Sequence, residues 1–171
     1  GWDKPRELDL MKLIALMAIA MLAVGGCGDD DESPTGPTEI TPSMSRLKTL
    51  LDIEFDDNLT LTLKTPVGSG DNITGRLATD TDVHVYTMYL SSNRTVSVTV
   101  DGEDDIIFLV AEALEGGLYA QPEMVADNDA VSPLDGYSDR STASAQLTAG
   151  TYVIAVGTWE GDDGYRLSVS W

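Results

Sequence analysis

The chain has 171 residues and a formal net charge of −19, from 10 Lys and Arg against 29 Asp and Glu. That length suits one hydrophobic core, and the charge makes nucleic acid and anionic lipid headgroups poor partners while leaving cations, basic proteins and neutral polymers open. With one cysteine no internal disulfide can form, so stability must come from an ordinary core or from bound metal ions.

Met11 and Lys12 supply a start and a positive charge ahead of Leu13 to Val24. This apolar run is too short to span a bilayer, which takes about 20 residues, but it suits the h-region of an export signal. The stretch Leu22-Ala23-Val24-Gly25-Gly26-Cys27 then reads as a lipobox. A diacylglycerol is attached through a thiol, and the small Gly25 and Gly26 leave room for the peptidase that cuts beside it. Each buried CH₂ of an acyl chain adds roughly 0.8 kcal/mol, so Cys27 with two or three chains becomes a firm membrane anchor. On this reading residues 1–10 lie upstream of the native start and 11–26 are a signal peptide that is removed. Gly28, not an aspartate, follows the cysteine, which favours the outer membrane over retention at the inner one.

Residues 27–45 mix charge with Pro, Gly, Ser and Thr and form a flexible acidic tether. Met44, Leu47, Leu50 and Leu51 recur at helical spacing, which predicts a short helix or lead-in over 46–55 that packs against the domain behind it. Alternation takes over after Phe55. Leu59, Leu61 and Leu63 predict one strand, residues 83–90 a second, and Val96, Val98 and Val100 a third. Ile106 to Ala111 is a continuous apolar run, as for a strand buried on both faces, and residues 151–156 and 165–171 complete the set. Turn signals stand at Asp101-Gly102, Gly116-Gly117, Ala149-Gly150 and 161–164. Short strands with no long helix between them make residues 56–171 an all-β, single antiparallel sandwich.

Within this stretch, Gly75-Arg76-Leu77, Asp80 to Met88, Asp105 to Leu109, Asp127-Asn128-Asp129, Leu147 to Gly157 and Gly164 to Val169 follow one another in an order and spacing that resemble the bacterial pre-peptidase C-terminal domain. That family has a jelly-roll-like β-sandwich related to the collagen-binding modules of clostridial collagenases. The resemblance implies a non-catalytic module that aids export, adhesion or substrate binding. His84 and Met88 depart from the usual pattern, and residues 130–139 are longer than the expected compact turn, which weakens transfer of a metal site more than transfer of the fold. No peptidase precedes the domain in this sequence, so we expect it to act without a catalytic domain in the same chain.

The residues themselves give little catalytic chemistry. His84 is the single histidine, set within a strand beside Asp82, and no Gly-x-Ser-x-Gly elbow is present. A hydrogen-bonded strand histidine is the plain reading, and a small hydrolase using His84 is a remote alternative. Zinc lacks a second histidine or a free thiol. Calcium is the cofactor these residues suggest, because it takes six to eight oxygens. Asp101, Glu103, Asp105 and Glu112 match EF-hand spacing by coincidence, since Ile106 stands where glycine is required. A hairpin centred on Gly116-Gly117 instead places Asp105 opposite Asn128 and close to Asp127 and Asp129. Facing carboxylates destabilise, so either a cation neutralises them or they sit at the wet rim. Asp80 and Asp82, with Asp71 upstream, form a second and weaker acidic group.

Tyr119, Tyr137, Trp159 and Tyr165 fall in or near turns, where sandwich domains place ligand-binding side chains; Tyr137 and Trp159 are the candidates for stacking on sugar or peptide. The expected protein is a lipid-anchored module of the cell envelope, without enzyme activity, adhering to extracellular protein or polysaccharide. The alternative is a structural or assembly accessory of an envelope protein complex.

Overall fold

The computed structural model describes residues 39–55, 58–102, 106–117, 119–127, 140–158 and 162–171. In chain order the elements are α1 (Met44–Phe55), β1 (Thr60–Leu63), β2 (Asn72–Leu77), β3 (Asp82–Leu90), β4 (Arg94–Gly102), β5 (Ile106–Ala113), β6 (Tyr119–Asp127), β7 (Arg140–Leu147), β8 (Gly150–Thr158) and β9 (Asp163–Ser170). They build two sheets, of order β1-β3-β8-β5-β6 and β2-β9-β4-β7.

The topology follows from one long antiparallel ribbon. Its innermost pair is β5–β6, and outward from it β4 pairs with β7, β3 with β8 and β2 with β9. Rolling this ribbon up puts its successive rungs in alternate sheets. The pairs β5–β8 and β4–β9 then close each sheet. Eight strands wound this way are a jelly roll.

Period-two alternation decides what each sheet buries. Tyr86, Met88 and Leu90 of β3 meet Val96, Val98 and Val100 of β4 and Leu167 and Val169 of β9 between the sheets. The opposite face of the five-stranded sheet is apolar as well. Val83, Val85, Leu109, Ala111, Val153 and Ala155 lie there under Leu47 and Leu51 of α1. This second, smaller core explains why β5 is buried on both faces, as its unbroken apolar run predicts.

Ser43 stands at the cap position just before the helix, and its carbonyl accepts the Leu47 N–H at 3.0 Å. Its start sits on the β5–β6 turn. Gly117 has φ +76°, and a Cβ there would stand 2.8 Å from Ser43 Cβ, so both conformation and space demand glycine. Tyr119 Oη donates to the Ser43 carbonyl at 3.1 Å, and the Ile40 N–H donates to Thr151 Oγ1 at 2.8 Å. Residues 40–45, expected as tether, therefore belong to the folded unit, because Met44 shares the apolar face of Leu47 and Leu51.

Two further details differ from expectation. The sandwich is not wholly antiparallel: β1 runs parallel to β3, with Leu61 opposite Val83. The chain between them passes through β2 in the other sheet, which supplies the crossover a parallel pair needs. Asp163 and Gly164, expected in a turn, open β9, with Asp163 opposite Leu77. Asp163 is in phase with the inward-facing Tyr165, Leu167 and Val169 and is fully buried.

Candidate binding site

One end of the sandwich gathers buried polar groups from four strands. His84 of β3, Ser141 of β7, Thr158 of β8 and Asp163 of β9 are each less than a tenth exposed. Ser141 Oγ donates to the Ile106 carbonyl at 3.2 Å and ties the two sheets together. Thr158 and Asp163 engage partners of their own. Buried polar groups need such bonds, because leaving one unmade costs more than making it returns.

His84 is bonded as well. Its Nδ1 lies 2.6 Å from Tyr165 Oη, which lies 2.7 Å from Tyr86 Oη. The Tyr165 ring reaches these partners by folding over its cross-strand neighbour Gly75, where a Cβ would stand 2.4 Å from the ring. Burial is the main cause that lowers the His84 pKa from its ordinary value; Lys64 adds to this and Asp82 opposes it. Burial and the Tyr86 hydroxyl push the Tyr165 phenol far above its usual range. Burial thus favours the neutral histidine, and its Nδ1 is turned inward onto a tyrosine of the facing sheet, so the pair joins the two sheets.

The acidic candidates are placed differently. Asp82 Oδ2 accepts the N–H groups of Ala78 at 2.9 Å and Thr79 at 3.2 Å, so its carboxylate shapes the turn before β3. Asp71 Oδ2 accepts the Gly68 N–H at 2.7 Å in the same manner. Asp80 is exposed. Among the described residues no three His, Cys, Asp or Glu side chains are grouped to hold a metal ion.

Asp127 ends β6, and its backbone faces Ile107, one residue beyond the Ala126 that the expected hairpin register implies. The slip arises between Val110 and Ala113, where the pairing is irregular opposite Pro122, which has no N–H to give the ladder. Cys27, Asp105, Asn128, Asp129, Tyr137 and Trp159 lie outside the described residues. Of the other two turn aromatics, Tyr119 and Tyr165 are both buried and hydrogen-bonded, not presented to a ligand.

Sequence reasoning missed Asp163 and the partnership of Tyr165 with His84. The signal was present in the two-residue phase of β9, which puts Asp163 and Tyr165 on the inward face. A cavity of about 90 Å³ also opens on the helix side of the five-stranded sheet, lined by Leu51, Leu59, Val83 and Leu109 together with Asp80 and Thr158. Among the described residues no helix is long and apolar enough to cross a membrane.

No protein-family model and no curated protein matches the chain by sequence. Solved structures do match by shape. The pre-peptidase C-terminal domain of collagenase from Bacillus anthracis is 20% identical with a TM-score of 0.51, covering 67% of this chain and 100% of that one. The g-type lysozyme inhibitor PliG of Aeromonas hydrophila is 21% identical at TM-score 0.43, covering 65% and 100%. The surface-associated copper-binding protein CorA of Methylomicrobium album BG8 is 10% identical at TM-score 0.46, covering 64% and 98%. The first of these shows the fold: an all-β sandwich like that of the pre-peptidase C-terminal domain.

Proposed function

We propose that the chain is a non-catalytic binding module, anchored to the cell envelope through acylated Cys27 and displayed there to adhere to extracellular protein or polysaccharide. The fold carries this reading, since the domain that shares it is the pre-peptidase C-terminal domain of a collagenase. The inward, hydrogen-bonded position of the single histidine supports it, because a general base must reach its substrate. Outer-membrane residence and stabilisation by calcium at Asp105, Asn128, Asp127 and Asp129 belong to the same proposal.

The test is fractionation followed by capture. Expressed in a host that acylates lipoproteins, the full chain should sediment with membranes, and the Cys27→Ser chain should be released. Membranes carrying the chain should then be retained on immobilised collagen or polysaccharide. Co-purification with one fixed envelope protein and no retention would favour the assembly accessory instead. A hydrolytic activity abolished by His84→Ala would overturn the non-catalytic reading.

A further inference from the structure

We infer that the outer face of the four-stranded sheet is the docking surface, and that its ligand is a polysaccharide bearing carboxylate groups. This rests on the binding-module reading and specifies its face and ligand class. The five-stranded sheet has its outer face covered by α1, whereas among the described residues nothing covers the outer face of β2-β9-β4-β7.

Charge is distributed unevenly over the molecule. Across the four strands Thr74, Arg166, Asp101 and Arg140 face one another in a row, and Arg76 lies two residues from Thr74 on the same side. Three guanidinium groups therefore gather at one end of this face in a chain whose acidic residues outnumber its basic ones almost threefold. Arg76 pairs with Asp162 at 2.9 Å, and Arg140 pairs with Asp101. Both arginines are more than half exposed, and exposed pairs of this kind are weak enough for an incoming carboxylate to compete. The patch therefore sets three guanidinium groups against the carboxylates of Asp101 and Asp162, and repulsion from charges farther off is screened within about 8 Å at physiological ionic strength.

Behind the arginines the face is built of hydroxyls and the Asn72 amide. Asn72, Ser168, Thr99 and Thr142 form the next row, with bonds of 2.6 Å from Ser168 to Asn72 and 3.1 Å between the threonines. Ser170, Ser97 and Ser144 form the row after that, with 2.6 Å between the last two. Strand geometry sets these groups about 4.8 Å apart across the sheet and roughly 6.8 Å along it. Hydroxyls both donate and accept, as sugar hydroxyls do, and arginine forks match carboxylates in bidentate fashion. Neither an aromatic nor a large aliphatic side chain points outward from these rows, so the apolar side chains of a peptide find no seat.

The full chain, purified in detergent, is titrated with alginate as a polyuronate, dextran as a neutral polysaccharide and poly-glutamate as an acidic peptide. Alginate should bind most tightly, and the double variant Arg76→Gln, Arg166→Gln should lose at least tenfold in affinity for it with an unchanged melting temperature. Arg166→Lys, which keeps the charge and loses the fork, should fall between the two. Unaltered alginate binding in the double variant, or poly-glutamate bound as tightly as alginate, overturns the proposal. Binding to dextran alone overturns the acidic ligand and leaves the binding module standing. Failure to bind any of the three overturns the proposal, and failure to bind immobilised collagen as well overturns the binding module.

Discussion

The Tyr165 hydroxyl stands 2.6 Å from His84 Nδ1 and 2.7 Å from Tyr86 Oη, so one group from β9 holds two side chains of β3 across the interior of the sandwich. Replacing it leaves two buried polar atoms without their partner. We expect Tyr165→Phe to destabilise by about 1–3 kcal/mol, the cost of unsatisfied buried groups. Gly75→Ala should be at least as damaging, because its methyl must displace the same ring. Denaturant unfolding of both variants measures this. An unchanged midpoint in Tyr165→Phe would show that the hydroxyl is dispensable.

Stability should also depend on pH in a way that one residue controls. The pKa of His84 is lowered by burial, so as pH falls below the ordinary value of 6.5 the unfolded chain takes up a proton that the folded chain refuses. Stability is therefore full above that value and declines as pH drops from it toward the lowered folded pKa. His84 is the single histidine, so its replacement should flatten the profile between pH 5 and 7, roughly the range in which histidine titrates. Thermal melts of the parent and of His84→Gln across this range decide the matter. An equally steep profile in both would assign the effect to other groups.

The helix is a cover for the second core. Leu47 and Leu51 are each 2% exposed, and truncating such a leucine costs about 2–5 kcal/mol. Leu51→Ala should lower the melting temperature and loosen α1 from Val83, Val85 and Val153, raising the binding of a hydrophobic dye. Loss of stability without dye binding would mean that the helix stays seated.

Calcium gives a fourth test. A ligand at 100 times its dissociation constant stabilises the folded state by about 2.7 kcal/mol, a shift visible in thermal unfolding. We expect excess calcium to raise the melting temperature, chelator to reverse the rise, and Asp105→Ala or Asp129→Ala to abolish it. No response in the parent chain would make these acids solvated surface.

The strands with large alternating residues were legible in sequence, because valines at every second position leave little choice of face. The strands β2 and β7 were not. Their inward residues include Gly75, Ala143 and Ala145, too small to mark a period, and only the pairing with β9 and β4 orders them. The run from Ile106 announced burial on both faces without saying that α1 supplies the second cover. At the candidate site, the inward histidine was foreseeable, but its partner was hidden by distance: Tyr165 is 81 residues away along the chain. Asp163 was misread because Asp-Asp-Gly is strong turn chemistry locally, and the phase of the following strand overrode it.

The most direct test of a lipid-anchored binding module uses liposomes that carry the full acylated chain, passed over immobilised collagen and polysaccharide. We expect these liposomes to be retained, while bare liposomes and preparations made with Cys27→Ser flow through. Flow-through of the acylated liposomes on every surface, or membrane attachment that persists in Cys27→Ser, would contradict the account.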